Sequence, residues 1–142
     1  MAWRLGKSSA LHAAAGPSSD TTQQPPLPFV TRDYYLEHPA VAALTEQQVE
    51  AERKRLGVVV HGEDVPKPVG SFVQASLPEH VLGTLRAAGY DAPPPIQRQA
   101  WPIAMSGRDV VGLAETGSGK TLAYLLPALV HASAQPPLKE GE

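Results

Sequence analysis

The chain has 142 residues, which is enough for one modest domain. It contains no cysteine, so disulfide bonds and thiolate zinc sites are excluded, and its five histidines lack the spacing of metal ligands. The formal net charge of −2 gives no general attraction to polyanions, and no apolar run approaches the roughly 20 residues that cross a bilayer.

The first 32 residues are predicted to form a disordered tail, because they show no apolar periodicity and end in a proline-rich stretch. Residues 1–19 contain no acidic side chain and carry Arg4 and Lys7 among alanines and serines. This composition is also compatible with an organelle transit peptide. We favour the tail, since only two basic residues support targeting.

Residues 33–70 are predicted to be a flanking extension that contains one polar helix, Thr45–Leu56. Thr45 is a candidate N-cap, Gln48 completes a capping box, and Gly57 is a plausible terminator. The β-branched run 58–60 predicts a short strand, and the prolines that follow predict an extended linker.

Residues 71–135 are predicted to form the start of the main domain, with three helices and one strand. The predicted elements are a helix over 78–88, a helix over 95–107 that Pro102 would kink, a buried strand over 109–114, and a helix over 120–131. Residues 136–142 are predicted to be a short tail at which a longer protein has been cut off.

A glycine-rich turn joins the last strand to the last helix and predicts a phosphate-binding loop. Its residues are Ala114, Glu115, Thr116, Gly117, Ser118, Gly119, Lys120 and Thr121. The glycines let backbone N–H groups approach phosphate oxygens, and the helix start adds further donors. Lys120 would bind the terminal phosphates, and the Thr121 hydroxyl would hold Mg²⁺. The general pattern begins with Gly, whereas this chain has Ala114 there.

The string AETGSGKT, after Gly107-Arg108-Asp109-Val110-Val111, resembles motif I of the DEAD-box RNA helicases, which usually have Ala at that first position. Residues 89–97, GYDAPPPIQ, resemble the Q motif of that family, and residues 35–72 resemble the N-terminal flank of one of its branches. The resemblance implies that Gln97 reads adenine, so the nucleotide is ATP, that Tyr90 stacks on the base, and that Phe72 supports the site. An amide has the donors and the acceptor that the adenine edge requires.

Two positions depart from the family pattern: Pro94 stands where Thr is usual, and Ala92 where a larger residue is common. The chain contains no Asp-Glu-Ala-Asp string, and phosphoryl transfer needs a carboxylate for Mg²⁺ and a positive charge for the transition state. Glu115 is expected to face solvent rather than to act in catalysis. We therefore expect no complete catalytic site and little hydrolysis by this chain alone.

The resemblance implies an α/β fold, an incomplete RecA-like P-loop domain that is the start of a parallel sheet with flanking helices, in a protein that remodels RNA with ATP and Mg²⁺. RNA would bind mainly outside this chain, RNA-processing proteins are candidate partners, and no membrane association is expected. The resemblance implies a nuclear or cytoplasmic protein. Another P-loop NTPase, and a non-catalytic module that binds a nucleotide or a partner, remain as alternatives.

Overall fold

A computed structural model describes residues 2–4 and 31–137 of the chain. These ranges leave out nearly all of the predicted tail at 1–32 and most of the tail at 136–142. The transit-peptide hypothesis for residues 1–19 therefore concerns a segment that lies almost entirely outside the described residues. Within the predicted tail, the backbone of Ala2–Arg4 forms strand β1, which pairs with two later segments. Such pairing is non-local, and a three-residue run carries no pattern that would reveal it.

Five α-helices and two further strands follow in the part of the chain that the structure describes. In order, they are α1 (Pro39–Ala42), α2 (Glu46–Arg55), β2 (Val59–His61), α3 (Glu79–Ala87), α4 (Pro95–Met105), β3 (Val111–Leu113) and α5 (Lys120–Ser133), with a 3₁₀ turn at Phe72–Ala75 between β2 and α3. Helix α1 and the 3₁₀ turn were not predicted. Both have only four residues, which is too short for helical periodicity to show in the sequence.

Helix α2 begins as its sequence predicts. Thr45 Oγ1 accepts a hydrogen bond from Gln48 N at 3.3 Å, and Gln48 Oε1 accepts one from Thr45 N at 2.8 Å. This reciprocal pair satisfies two N–H groups that the first turn leaves without helical partners. Gly57 follows the helix in the left-handed region at φ +65°, where glycine is the residue of least steric cost.

The described strands form a mixed sheet in the order β2-β1-β3. Strand β1 pairs in parallel with β2 and antiparallel with β3, whereas the sequence predicted only the start of a parallel sheet. Strand β3 is also less buried than predicted, because Val111 and Leu113 are 57% and 62% exposed. Strand β3 lies at the edge of the sheet. The residues on either side of it, Val110 and Ala114, pack on a core cluster.

The main core lies where helices α3, α4 and α5 meet the 3₁₀ turn. Trp101, at its centre, is fully buried, packs against Phe72 with ring centroids 5.9 Å apart, and donates its indole N–H to Leu122 O at 3.0 Å. Leu82 and Leu85 bury the predicted stripe of α3 in the same cluster. This core fixes α4 against α5, so the starts of both helices are held side by side.

Pro102 inside α4 has a structural consequence that differs from a simple kink. Because proline lacks an N–H, the carbonyl of Arg98 four residues earlier has no helical donor. The N–H of Val69, from the extended segment before the 3₁₀ turn, donates to that carbonyl at 3.0 Å. The flanking segment is thereby hydrogen-bonded to the backbone of α4.

Among residues 2–4 and 31–137, no helix has the length and apolar character that crossing a membrane requires. Over the same ranges, no three His, Cys, Asp or Glu side chains come together as a set that could hold a metal ion.

Candidate functional site

The glycine-rich turn is held in a backbone conformation that only glycine adopts readily. Gly117 has φ +78° and Gly119 has φ +90°. Gly119 is the N-cap of α5, and no side chain caps this end of the helix. The first N–H groups of an α-helix have no intrahelical acceptors and carry the positive end of the helix dipole. The turn and the helix start therefore present donors suited to an anion.

Close contact is a second reason for glycine at position 119. A Cβ atom there would lie 2.7 Å from Gln97 Nε2 and 2.9 Å from Pro94 Cγ. Both neighbours belong to the start of α4, where Pro94 is the N-cap. The predicted base-reading segment thus packs directly against the predicted phosphate loop.

Gln97 is 3% exposed, and its Nε2 donates to the carbonyl oxygen of Gly119 at 3.0 Å. This bond occupies one of the two amide hydrogens of Gln97. Gln97 therefore lies directly beside the glycine-rich loop. Helix α4 makes the approach possible, because Pro95 at its first turn starts the helix two residues before Gln97.

A cavity of about 450 Å³ opens between the two segments. It is lined by Gln97, Tyr90, Phe72, Pro94, Pro95, Leu85, Leu122 and the loop residues Gly117, Ser118 and Gly119. The cavity brings together Gln97 and Tyr90, which the resemblance implies for the base, and Phe72, which it implies as a support of the site. Three of the eight loop residues line the same cavity. Its volume falls in the usual range for small-molecule sites, about 300–1,000 Å³.

Two aromatic residues border the cavity with different degrees of burial. Tyr90 is 52% exposed, so its ring is accessible for stacking. Phe72 is 8% exposed and packs in the core against Trp101. Phe72 therefore supports the wall of the cavity from the core side.

Ser118 has a buried hydroxyl that finds no hydrogen-bond partner among the residues that the structure describes. Leaving a buried polar atom unpaired costs about 1–3 kcal/mol, and such atoms are uncommon in folded proteins. The unpaired hydroxyl lies in the loop that also lines the cavity. A ligand rich in oxygen acceptors, such as a phosphate chain, matches this group and the glycine backbone around it.

Lys120 points its ammonium group back over the loop. Its Nζ donates to Ala114 O at 2.7 Å and also to Glu115 O. The charge is thus kept at the loop by backbone carbonyls. Lys120 also lines a second cavity, of about 270 Å³, with apolar residues of α4 and α5.

The remaining predicted residues of the loop lie outside the main cavity. Glu115, Thr116 and Thr121 are exposed, and Glu115 faces solvent as the sequence analysis expected. Ala114 is partly buried against a core cluster formed around Ile96 and Ala100. Thr121 lies in the first turn of α5, directly after Lys120.

Sequence reasoning missed the polar contacts behind α4. Gln99 is fully buried and binds Arg53 of α2, and Arg98 lies 3.5 Å from Glu52 of the same helix. One signal for part of this arrangement was present in the sequence. Pro102 predicts an unpaired carbonyl at Arg98, which must find a donor from another segment.

Comparison with known proteins supports the interpretation of these motifs. Residues 94–141 match the DEAD/DEAH box helicase family, a range that includes Gln97 and the whole loop. DEAD-box ATP-dependent RNA helicase 20 of Oryza sativa subsp. japonica is 54% identical over 116 residues, which cover 82% of this chain and 24% of that protein. The protein of the same name from Arabidopsis thaliana is 47% identical, over 95% of this chain and 28% of its own length.

Solved structures show the same fold. Prp28 from Chaetomium thermophilum, an RNA helicase solved with bound ADP, matches with a TM-score of 0.64 and 38% identity, over 70% of this chain and 24% of its own. The yeast DEAD-box splicing factor Prp28 matches with a TM-score of 0.63 and 27% identity, over 69% of this chain and 23% of its own. The α/β fold predicted from the sequence, part of a RecA-like domain, is thereby confirmed.

The chain spans about a quarter of the length of the relatives that it matches. Over that quarter, the Q-like segment and the Ala-started loop occur together in sequence and meet around one cavity. The chain therefore matches the DEAD-box ATP-dependent RNA helicases in its motifs, its sequence and its fold.

Proposed function

We propose that this chain is the adenine-nucleotide-binding part of an ATP-dependent RNA helicase, with residues 71–135 as the start of its first RecA-like domain and 33–70 as a flanking extension. The observation that carries the proposal is the cavity shared by Gln97, Tyr90 and the loop residues Gly117 to Gly119. The proposal also agrees with the ADP-bound state of the Chaetomium thermophilum relative.

The base would be recognised by the residues of the Q-like segment. Gln97 keeps one amide hydrogen on Gly119 O, and its other hydrogen and its oxygen are of the types that the N7 and N6 groups of adenine require. Guanine offers the reverse pattern at its six-position. Tyr90, half exposed at the rim, would stack on the ring and contribute about 1–3 kcal/mol.

The phosphates would be held by the loop. Backbone N–H groups around Gly117 to Gly119, the start of α5 and the Ser118 hydroxyl supply neutral donors. Lys120 would exchange its two carbonyl partners for phosphate oxygens, and Thr121 would offer its hydroxyl to Mg²⁺. When bound, Mg²⁺ supplies charge neutralisation for the phosphate groups.

We further propose that the 142-residue chain binds nucleotide with little turnover. Its sequence has no Asp-Glu-Ala-Asp string, and its net charge of −2 supplies no strong attraction to RNA. Glu115 is the acidic residue of the loop, and it is exposed. Duplex remodelling would require RNA contacts beyond those that this chain provides.

A titration of fluorescently labelled ADP with Mg²⁺ tests the site. Lys120→Ala removes a charge-assisted contact worth about 1.5–3 kcal/mol and is expected to weaken binding roughly 10- to 150-fold. Lys54→Ala, an exposed charge on α2, serves as the matched control and should bind as the wild type does. Equal affinity of Lys120→Ala and wild type would remove the phosphate-site assignment.

A further inference from the structure

Helix α2 of the flanking extension is bonded to α4 through a buried glutamine. Arg53 Nε donates to Gln99 Oε1 at 3.1 Å, and Gln99 Nε2 donates to Pro66 O at 2.8 Å. Arg53 also donates to Pro66 O at 3.2 Å through its terminal nitrogen. One guanidinium thus joins α2, the proline-rich linker and α4.

The neighbouring residue of α4 is held by the same extension. The Arg98 guanidinium lies 3.5 Å from Glu52 and donates to Pro93 O at 2.7 Å. The Arg98 carbonyl, which Pro102 leaves without a helical donor, accepts from Val69 N at 3.0 Å. Side chain and backbone of Arg98 are therefore both fixed by residues outside α4.

These contacts are made by the two residues of α4 that directly follow Gln97. Gln97, Arg98 and Gln99 are consecutive, and Gln97 is the residue that binds Gly119 of the loop. A helix transmits the rotation and position of one residue to the next, because its backbone hydrogen bonds keep the turns rigid. The contacts of Gln99 and Arg98 therefore set where the amide of Gln97 lies.

Arg53 itself is absent from the residues that line the nucleotide cavity. Gln99 is fully buried, and loss of a hydrogen-bond partner would leave its side-chain amide unsatisfied at a cost in free energy. The planar guanidinium of Arg53 provides that partner in a fixed geometry. Arg53 therefore reaches the cavity indirectly, and its bond to Gln99 is the side-chain contact that leads into α4.

We propose that Arg53 is a positioning residue for the nucleotide site, which acts through Gln99 to hold Gln97 in register with the phosphate loop. The proposal rests on the proposed function of the cavity. It gives the flanking helix α2 a role in adenine selection as well as in packing.

A double-mutant cycle on the whole chain tests this role, with labelled ADP and Mg²⁺ as the probe. Arg53→Met is expected to weaken ADP binding roughly 3- to 30-fold, a coupling of the size found among residues of one network. In a Gln97→Ala background, the same change should weaken binding less than about twofold. The preference for ADP over GDP should also narrow in Arg53→Met.

Lys54→Met is the control, because it alters the adjacent exposed side chain of α2 and should leave affinity and base preference unchanged. Arg53→Lys keeps the charge but loses the planar fork, so it should give a smaller effect of the same kind and remains informative if Arg53→Met does not fold. The thermal unfolding curve of each variant shows at which temperatures it is folded, and ADP binding is measured at a temperature where all variants are folded.

Equal weakening by Arg53→Met with and without Gln97 would overturn the proposal, since that result means a general structural role. An unchanged ADP-to-GDP ratio would overturn it as well. The Lys120→Ala titration tests the proposed function separately, and equal ADP affinity of Lys120→Ala and wild type would show that the proposed function itself is wrong.

Discussion

The side-chain nitrogen of Gln97 and the carbonyl oxygen of Gly119 lie 3.0 Å apart, across 22 positions of sequence. This hydrogen bond joins the segment proposed to read the base to the loop proposed to hold the phosphates. Because the Gly119 carbonyl also accepts from Ala123 N at 3.3 Å, the contact includes the first turn of α5. A displacement of the loop therefore changes the position of the Gln97 amide.

Replacement of Gly119 should disrupt this contact. In Gly119→Ala, the new Cβ would lie 2.7 Å from Gln97 Nε2, and the backbone would keep an unfavourable φ of +90°. A left-handed conformation costs an L-residue about 1–2 kcal/mol before the steric contact is added. We expect at least a tenfold loss of ADP affinity, measured by isothermal titration calorimetry.

Gly83→Ala is the matched control for that variant. Gly83 lies inside α3, and in the described part of the chain no atom outside its own turn of helix lies within 4 Å of an added Cβ. Alanine there should stabilise the chain by about 0.5–1 kcal/mol and leave ADP binding unchanged. Normal ADP affinity in Gly119→Ala would contradict the close packing of loop and α4.

Tyr90 should contribute to binding through its ring alone. Tyr90→Ala removes a stacking surface worth about 1–3 kcal/mol and should weaken ADP binding roughly 5- to 150-fold, whereas Tyr90→Phe should bind as the wild type does. Tyr124, which is 65% exposed on α5 and lines a different cavity, provides the control Tyr124→Ala. A fluorescence titration that gives equal affinities for Tyr90→Ala and Tyr124→Ala would refute stacking.

Tyr35 should make the fold sensitive to alkali. Burial, and secondarily the charge of Glu37, raises the pKa of Tyr35 from 10.0 to about 12. Between these two values only the unfolded chain releases the Tyr35 proton, so the contribution of Tyr35 to stability should be constant below pH 10 and fall as the pH rises towards 12. Urea unfolding at several pH values measures the free energy of unfolding across this interval.

Tyr35→Phe should remove the part of the stability loss between pH 10 and 12 that comes from ionisation of Tyr35. Within residues 2–4 and 31–137 its hydroxyl is buried without a hydrogen-bond partner, so the substitution should also keep or raise stability at neutral pH, by up to about 1 kcal/mol. Tyr124→Phe, at an exposed hydroxyl, should leave the unfolding curve unchanged. A Tyr35→Phe protein that is markedly less stable at pH 7 would show that the hydroxyl is bonded.

Features set by neighbouring residues were predictable from the sequence. The capping box of Thr45 and Gln48 and the helix start at Pro95 depend on local chemistry, and both are found in the structure. The glycine turn before Lys120 also depends on local geometry. The resemblance to a family then placed Gln97 beside that turn, which spacing alone could not have done.

Features that depend on distant partners were not predictable. Strand β1 exists through its pairing with β2 and β3, and the exposure of Val111 follows from the edge position of β3. The buried Gln99 finds Arg53 across 46 positions, and no local pattern indicates such a bond. For the contacts between α4 and the flanking extension, the sequence gives one indication: Pro102 leaves the Arg98 carbonyl without a helical donor.

The two-dimensional amide NMR spectrum of the ¹⁵N-labelled chain, recorded as ADP and Mg²⁺ are added, tests whether the loop and Gln97 bind the same nucleotide. We expect the largest shifts at the backbone amides of Gly117, Ser118 and Gly119 and at the side-chain amide of Gln97. Shifts confined instead to the side-chain amides of Gln48 and Gln74, which line the separate cavity beside α1 and α2, would contradict the account.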